Sequence, residues 1–517
     1  MMILKSVAWK NLARRRLAAT AMVAWMVGPL LAKDADEPVA RPNVLFVAVD
    51  DLNDWIGCMK GHPQAHTPNM DRLAARGVLF TNAHCAAPVC LASRTAVLTG
   101  LKPEQSGVYS NWGKTRGGPL VKEQQLPVRL AASGYETLGT GKLYHSTQSQ
   151  WFDDYFGTEQ RWSPFTETQS KYDEEELPTK GSEAPRHVIK AGPGGRDWVL
   201  PLNGLPSERN AQGREGESFD WGAAPVADED MGDVRITDWA LQKLAARHQK
   251  PFFLGVGYYR PHIPLFAPEV DFKHLPPVQD IQVPQVLGND LNDLGPVGRE
   301  TALDPITAGT HDLVVRHGQW KEAVRAYLAC ITHVDRQVGR LIDRLDASPH
   351  ADNTWIILWS DHGWHLGEKK HWGKWTAWRQ ATRVPLIIVP PRQQGGPVGK
   401  TCAEPVSLID LYPTIMKICH APVRSEVKGI SLLPLVNDPD SHTGRAVLTT
   451  VDPGNHALST RGWRYIRYRT GEEELYDTMR DPHEWQNLAG DGASQEKLSE
   501  MRQRLSAELG NPAGPEP

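Results

Sequence analysis

The sequence predicts an α/β fold in which helices cover both faces of a mostly parallel β-sheet. Continuous apolar runs, rich in β-branched and aromatic residues, recur along the chain and are typical of strands buried on both faces. The runs lie at residues 43–49, 78–83, 136–141, 251–257, 353–359 and 383–389. Segments with helical periodicity, such as 236–246 and 320–345, lie between these runs. The length of 517 residues allows one large domain and a smaller one.

Residues 1–33 have the pattern of a targeting segment. A basic region that ends in Arg14, Arg15 and Arg16 precedes an apolar stretch at 17–31, and Leu30-Leu31-Ala32 offers a small-residue cleavage point. The arginine run leaves the twin-arginine export route open, and an uncleaved N-terminal anchor is the alternative to a signal peptide. Either interpretation places the body of the protein outside the cytoplasm, in the periplasm or the extracellular space.

Charge and hydropathy exclude two classes of partner. The formal net charge is -4, and basic residues form no tract beyond the N-terminus, so we expect no nucleic-acid binding. Beyond the targeting segment, no stretch of the sequence is apolar enough to cross a membrane, so we expect no stable membrane span.

Polar side chains follow several of the predicted strands at the point where each strand ends. Asp50-Asp51, Lys142 with His145, His262, and Asp361-His362 all occupy such positions. Ligands of open α/β sheets bind beyond the carboxyl ends of the strands, so we expect these groups to meet. Two adjacent carboxylates repel each other unless a cation lies between them, and the pair Asp50-Asp51 therefore indicates a metal site.

Residues 90–100 predict a short helix that begins near a cysteine. Ser93 is a plausible N-cap and Gly100 a plausible stop, which places Cys90 at or just before the helix N-terminus. That position attracts anions and favours an ionised nucleophile, and Arg94 adds a planar cation suited to an oxyanion. The alternative is a buried structural cysteine beside a surface arginine.

The sequence has six cysteines. If Cys90 is reserved for chemistry, five remain, so at least one of them cannot form an internal disulfide. Cys402 and Cys419 are close enough in sequence for a local disulfide in an oxidising compartment. No Cys-x-x-Cys spacing indicates zinc.

The order of these segments predicts three parts: a signal peptide at 1–33, a catalytic domain at 41–440 and a C-terminal subdomain at 441–510. Thr67 and Pro68 predict a helix start, with Thr67 as the cap. Two irregular stretches, 160–230 and about 275–310, are long enough to be lids or cleft walls. In the last part, 457–460, 463–468 and 473–477 predict antiparallel strands, 495–509 a helix and 510–517 a tail.

The motifs together resemble the type I, formylglycine-dependent sulfatase family of the alkaline-phosphatase superfamily. The resemblance covers most of residues 41–490 and is closest to the iduronate-2-sulfatase-like branch. It rests on Cys-Leu-Ala-Ser-Arg-Thr-Ala-Val-Leu-Thr-Gly (90–100), Gly-Lys-Leu-Tyr-His (141–145), Arg-Pro-His-Ile-Pro (260–264), Asp-His-Gly-Trp-His-Leu-Gly-Glu (361–368), the strand ending in Asp-Asp (43–51) and the terminal Glu-Leu-Tyr-Asp…Asp-Pro (474–482). The family fold is a large mixed, mostly parallel sheet sandwiched by helices, with a smaller C-terminal α+β subdomain.

The resemblance implies a formylglycine, or 3-oxoalanine, made from Cys90 by a maturation enzyme, and a bound Ca²⁺. The implied metal ligands are Asp50, Asp51, Asp361, His362 and the modified Cys90. Arg94 would hold the formylglycine, Lys142 and Lys374 would bind sulfate oxygens, His145 would assist the hydrate, and His262 would protonate the leaving oxygen. His362 is less typical for calcium, which keeps Mg²⁺ and Mn²⁺ as alternatives.

Two positions depart from the family pattern. Ala92 replaces the proline of Cys-x-Pro-Ser-Arg, which bears on the maturation system that can process Cys90. Arg379 stands where relatives commonly carry an acid, which bears on substrate contacts and leaves the core chemistry intact.

The resemblance implies a sulfuric ester hydrolase that acts on a sulfated carbohydrate, either a glycosaminoglycan or an algal-type polysaccharide fragment. A phosphodiesterase or phosphonate monoester hydrolase of the same superfamily is one alternative, because sulfate and phosphate esters have similar shapes. A non-catalytic glycan-binding relative that never receives its aldehyde is the other.

Overall fold

The computed structural model describes residues 41–114, 117–157, 161–165, 175–177, 186–205, 218–305 and 309–510. The predicted signal peptide at 1–33 and residues 511–517 of the predicted tail lie outside these ranges, as do parts of the irregular stretch at 160–230.

The fold is organised by an eight-stranded sheet, which is mixed and mostly parallel as the sequence predicts. Every strand runs in the same direction except Leu386–Val389, which is antiparallel to both of its neighbours. The strand order is Lys400–Cys402, Val78–Phe80, Leu386–Val389, Thr354–Ser360, Asn43–Val49, Phe252–Tyr258, Glu136–Gly141 and Asp154–Phe156.

Side chains of the central strand Asn43–Val49 alternate between two hydrophobic cores. Leu45, Val47 and Val49 join the core formed with Pro68–Ala74, Gly232–Ala245 and the long helix Trp320–Asp346. Val44, Phe46 and Ala48 join the core formed with Cys90–Thr99, Leu126–Ala132 and Leu411–Ile418. The period of two residues in a strand therefore places helices on both faces of the sheet, which confirms the predicted fold class.

Shorter elements complete the described chain. The remaining helices are Pro103–Ser106, Glu269–Phe272, Pro296–Leu303, His311–Arg316, Arg379–Thr382, Leu433–Asn437 and Gln495–Glu508. Small sheets are formed by Trp221–Ala224 with Leu265–Pro268, by His365–Leu366 with Trp372–Gly373, by Ala83–His84 with Arg383–Val384 and Val406–Ser407, and by Glu175–Leu177 with Arg186–Ile189 and Trp198–Leu200. None of the helices within the described ranges is long and apolar enough to span a bilayer.

A four-stranded antiparallel sheet follows in the last part of the chain, where the sequence predicts short strands and a final helix. Its strands are Val447–Asp452, Asn455–Ser459, Trp463–Arg467 and Glu473–Asp477. The helix Gln495–Glu508 buries Leu498, Met501 and Leu505 against one face of this sheet. The boundary at 440/441 stays a prediction.

Two predicted strands are divided in the structure. The run at 383–389 breaks at Pro385, which lacks a backbone N–H and cannot continue the ladder. Arg383–Val384 therefore pairs with Ala83–His84, while Leu386–Val389 enters the large sheet. The run at 78–83 likewise splits into Val78–Phe80 and Ala83–His84.

The predicted Cys402–Cys419 disulfide is wrong, because both cysteines are free and buried. Cys402 ends an edge strand of the large sheet, whereas Cys419 follows the helix Leu411–Ile418. The predicted helix start is confirmed, since Thr67 is the N-cap residue of the helix Pro68–Ala74. Its hydroxyl makes no cap bond to that helix and instead accepts the N–H of Gly57 at 2.8 Å.

Candidate active site

Two adjacent parallel strands deliver the acidic residues of the site. Val49 pairs with Ser360, so the strands Asn43–Val49 and Thr354–Ser360 end side by side. Asp50 and Asp361, the next residues, are fully buried, as is Asp51. The backbone N–H of Asp51 donates to Asp361 Oδ1 at 3.1 Å. The expectation that these acids meet at the carboxyl edge of the sheet is thus confirmed.

Cys90 is the first residue of the helix Cys90–Thr99, and the whole helix is buried. The N-cap is Val89 in an extended conformation, and Gly100 ends the helix with a φ of 71°. The prediction that Ser93 caps the helix is wrong, since Ser93 lies within the first turn. Its hydroxyl instead donates to the backbone carbonyl of Asp361 at 2.6 Å, which ties the helix to the strand end that carries the acids.

Arg94 joins the helix to the acidic residues. Its Nε donates to Asp361 Oδ2 at 2.8 Å, its Nη2 to Asp50 Oδ1 at 3.2 Å, and its Nη1 to the carbonyl of Lys142. Burial opposes the charged form, but Asp361 and Asp50 outweigh it and raise the pKa of Arg94 above its usual value. Among the described hydrogen bonds of Arg94, none reaches Cys90. The bonds of this side chain to Asp361 and Asp50 orient the two acids.

Two lysines bracket the sulfur of Cys90. Lys142 Nζ contacts Asp50 Oδ2 and lies 3.6 Å from Cys90 Sγ. Lys374 Nζ lies 2.7 Å from Asp51 Oδ1 and 3.0 Å from Cys90 Sγ. Burial disfavours the Lys374 ammonium, but Asp51 and Cys90 raise its pKa above the usual value. Both cations therefore face the space in front of the sulfur.

The ring of His362 faces Cys90 from the side of the acids. His362 Nε2 lies 3.4 Å from Cys90 Sγ and 3.4 Å from Asp51 Oδ1. Its Nδ1 lies 3.1 Å from the carbonyl oxygen of Gly363, which can only accept, so the proton sits on Nδ1 and the Nε2 lone pair faces Cys90 Sγ. Burial lowers the pKa of His362, and the neutral ring is the form that binds a metal.

Whereas His362 lies near the first oxygen of the Asp51 carboxylate, His262 lies nearest the second. Its Nε2 lies 3.9 Å from Asp51 Oδ2, and its Nδ1 lies 2.6 Å from the carbonyl of Ile263. Burial and the positive charge of Lys142 hold the pKa of His262 well below its usual value. The approach of a negatively charged group would raise the pKa of His262 again in part.

His145 lines a cavity of about 590 Å³ with Leu91, Tyr144 and Trp151. Burial, Lys142 and Lys374 lower the pKa of His145 to about 3. Its Nδ1 is buried and has no hydrogen-bond partner. A ligand that enters this cavity meets a neutral imidazole with one nitrogen to satisfy.

The residues present fit a divalent cation. Burial opposes ionisation of Asp50, but Lys142, His262 and Arg94 outweigh it and hold its pKa well below the usual range. Burial raises the pKa of the neighbouring Asp51 to about 7, and Asp51 Oδ2 has no hydrogen-bond partner. Ligand atoms of Asp50, Cys90, Asp361 and His362 lie within 4.8 Å of one another, and so do those of Asp50, Asp51, Cys90 and His262. A hard cation at this point would relieve the crowding of carboxylates.

Two side chains that support the site, those of Tyr327 and Ser360, were not predicted from the sequence to do so. The hydroxyl of Tyr327 donates to the carbonyl of Asp51 at 2.7 Å and accepts the N–H of Asn53 at 3.0 Å. Ser360 Oγ accepts the N–H of Leu52 at 3.0 Å. The turn that carries Asp51 has a φ of 60°, and these bonds hold it there. In the sequence, Tyr327 occupies one of the apolar positions of its helix. The periodicity therefore gives no indication that its hydroxyl forms these hydrogen bonds.

Comparison with protein families gives two overlapping matches. The family model described as sulfatase matches residues 42–421. The model described as N-sulphoglucosamine sulphohydrolase, C-terminal, matches residues 367–510. Together the two matches include every candidate residue described above.

Individual relatives and structures agree with these matches. A sulfatase of Formosa agariphila is 36% identical over 485 residues, which cover 92% of this chain and 88% of the relative. Human iduronate 2-sulfatase is 30% identical, over 72% of this chain and 62% of its own length. Among solved structures, the phosphonate monoester hydrolase of Silicibacter pomeroyi has a TM-score of 0.70 at 21% identity, over 91% of this chain and 96% of that one.

Proposed function

The chain belongs to the sulfatase family and is a sulfuric ester hydrolase, and we propose that it removes sulfate from a sulfated carbohydrate. One observation carries the proposal: Cys90 Sγ lies between the ammonium groups of Lys142 and Lys374 and beside Nε2 of His362. A sulfate ester is anionic, and this is a buried, preorganised set of cations in front of a single candidate nucleophile.

We propose that Asp50, Asp51, Asp361 and His362 hold a divalent cation, with the side chain at position 90 facing it. The carboxylate-rich set favours Ca²⁺, with Mg²⁺ or Mn²⁺ as alternatives because one ligand is a nitrogen. The cation supplies fixed positive charge for the sulfate oxygens and for an oxygen nucleophile.

We propose that a maturation enzyme converts Cys90 to formylglycine. The hydrated aldehyde would carry two hydroxyls on one carbon. One would attack sulfur as the bond to the sugar oxygen breaks, and loss of the proton of the other would then re-form the aldehyde and release sulfate. The position of Cys90 at the start of a buried helix supports this role, because the N–H groups and dipole of the helix face the same space.

The cations of the chain bind and orient the sulfate group in this proposal. Lys142 and Lys374 exchange part of their present contacts with Asp50 and Asp51 for sulfate oxygens. Arg94 keeps Asp50 and Asp361 in place through its hydrogen bonds to both. The fixed positions of these groups lower the cost of reorganisation as charge moves towards the leaving oxygen.

The two remaining histidines move protons. His262 Nε2 lies 3.9 Å from Asp51 Oδ2, and in this proposal the leaving oxygen lies on this side of the site. The negative charge of a bound sulfate ester favours the protonated ring, so His262 can donate its Nε2 proton to that oxygen. His145, neutral and with an unsatisfied nitrogen in the adjoining cavity, accepts a proton from the hydrated side chain at position 90.

Replacement of His262 tests whether this residue donates a proton to the leaving oxygen or only helps to bind the substrate. We expect His262→Ala to lower kcat/KM for a sugar sulfate about 10²- to 10⁴-fold, because an alkoxide leaves poorly without a proton. The loss on nitrophenyl sulfate is expected to be much smaller, because nitrophenolate leaves unaided. Steady-state kinetics on both esters checks this. The control is His456→Ala, which removes a buried histidine outside the site. Equal losses on the two esters would contradict the assignment.

The carbohydrate part of the proposal is supported by the names of the relatives. Iduronate 2-sulfatase acts on the sulfate of a sugar acid, and the C-terminal family model is that of an enzyme named for N-sulphoglucosamine. We propose a glycosaminoglycan or an algal-type polysaccharide fragment as the substrate class. We also propose export, directed by residues 1–33, and division of the remainder into 41–440 and 441–510.

The similarity to a phosphonate monoester hydrolase makes that activity the second candidate. Rates on nitrophenyl sulfate, nitrophenyl phosphate and phenyl phosphonate, measured on one preparation, decide between them. We expect the highest kcat/KM on the sulfate ester. A preference for phosphate or phosphonate would overturn the sulfatase assignment.

A further inference from the structure

An exposed tryptophan stands beside the proposed reaction centre. Trp112 is 48% exposed and is the one tryptophan among the exposed large hydrophobic side chains of the described residues. Its ring lies against that of Trp375, with centroids 5.1 Å apart and an interplanar angle of 49°. Single exposed apolar side chains are common, and what distinguishes this one is its contact with a second tryptophan that adjoins Lys374.

Both tryptophans are held at fixed positions relative to Cys90. Asn111, which precedes Trp112, accepts through Oδ1 the backbone N–H of Leu91 at 2.9 Å. Trp375 follows Lys374, and its backbone N–H donates to the carbonyl of Pro88 at 3.1 Å. The two tryptophans are therefore linked to Pro88 and Leu91, which flank Cys90 in the chain. Trp375 is also adjacent to Lys374.

The backbone of Trp375 adopts a conformation that bulky residues rarely adopt. Its φ is 67°, in the left-handed region, where a residue with a Cβ is disfavoured. The ring packs partly against the cluster of Ala87, Val89, Leu91 and Val108, and Lys374 Nζ lies 5.4 Å from its centroid. Backbone strain of this kind persists where surrounding contacts impose it, and it concentrates at functional sites.

The chemistry of the two rings defines the ligand. Indole faces offer a flat apolar surface with a polar edge, which matches the C–H face and hydroxyl rim of a sugar ring. They carry no charge, so they can hold the sugar without competing with Lys142 and Lys374 for the sulfate. Lys374 Nζ lies 3.0 Å from Cys90 Sγ and 5.4 Å from the centroid of Trp375, so a sulfate group bound by Lys374 in front of Cys90 would lie near this ring.

We propose that Trp112 and Trp375 form a subsite that stacks a sugar ring of the substrate and so positions its sulfate ester at residue 90. The inference rests on the proposed function in one respect, that the substrate is a saccharide. Trp112 acts here as a positioning and specificity residue, and the groups around Cys90 perform the chemistry.

The test compares a small ester with a saccharide. Wild type is first assayed on 2-O-sulfated hexuronate disaccharides, sulfated glucosamines, sulfated algal oligosaccharides and nitrophenyl sulfate, and the saccharide with the highest kcat/KM is kept. We expect Trp112→Ala to raise KM for that saccharide about tenfold, with little change in kcat. On nitrophenyl sulfate, kcat/KM should stay within about twofold. Trp112→Phe, which keeps an aromatic face, should restore most of the affinity.

A control variant and the other outcomes complete the design. Met479→Ala removes a side chain that is 75% exposed and lies outside this pair, and it should change neither reaction. Equal losses of Trp112→Ala on both esters would overturn the subsite, because they would show that Trp112 maintains the reaction centre itself. An unchanged saccharide KM would also overturn it. If wild type hydrolyses nitrophenyl sulfate but none of the saccharides, the carbohydrate assignment fails, and the subsite fails with it.

Discussion

Replacement of Cys90 by alanine is expected to abolish sulfatase activity, with kcat/KM falling by about 10⁴-fold or more. The side chain at position 90 is the only candidate nucleophile that contacts Lys142, Lys374 and His362 together within the described ranges. Alanine keeps the helix start and removes only the group that attacks. The measurement is steady-state hydrolysis of nitrophenyl sulfate, with the melting temperature as a check on folding.

Cys85→Ala is the matched control for this prediction. Cys85 is also fully buried and lies five residues before Cys90, but its sulfur faces the carbonyl of Ala381 at 3.9 Å and lies outside the acidic cluster. The same truncation there should cost some stability and little activity. Comparable loss of activity in both variants would show that the effect comes from packing, and the role of Cys90 as nucleophile would be lost.

Asp361→Asn is expected to weaken binding of the divalent cation by about 100-fold or more and to lower kcat by about 10³-fold. Asp361 Oδ2 balances the charge of Arg94, and Oδ1 accepts the N–H groups of Asp51 and His362. The amide keeps the shape and removes one negative charge from the cluster. Calorimetric titration of chelator-treated protein with Ca²⁺ measures the change in affinity.

Asp335→Asn provides the comparison for this variant. Asp335 is a buried carboxylate as well, but it accepts the N–H groups of Asn69 and Met70 and belongs to neither group of candidate ligands. We expect it to bind Ca²⁺ as wild type does. If Asp361→Asn retains wild-type affinity for Ca²⁺, Mg²⁺ and Mn²⁺ alike, the proposed ligand set is wrong.

The placement of the acids was predictable because strand direction alone determines it. Two apolar runs that end in Asp50 and in Asp361 can lie side by side in a parallel sheet, and Val49 does pair with Ser360. The end of the helix that carries position 90 was also within reach of the sequence, because Gly100 marks it. The start at Cys90 was predicted only approximately, since it rested on Ser93 as the cap and the N-cap is Val89.

Features that depend on tertiary contacts were not predictable in the same way. Ser93 has the composition of an N-cap, but its hydroxyl bonds the carbonyl of Asp361, 268 residues away in the chain. Tyr327 fits the apolar face of its helix, and only the fold shows that its hydroxyl holds the turn at Asp51. Pro385 is different, since its missing N–H could have predicted the break in the strand at 383–389.

The side chain at position 90 provides the most direct test of the central claim. Mass analysis of the peptide that contains position 90, on enzyme purified from its native host in active form, identifies the group present. We expect an aldehyde in place of the thiol, in a fraction that rises in proportion to the specific activity on nitrophenyl sulfate. A fully active enzyme with an intact Cys90 thiol would contradict the account.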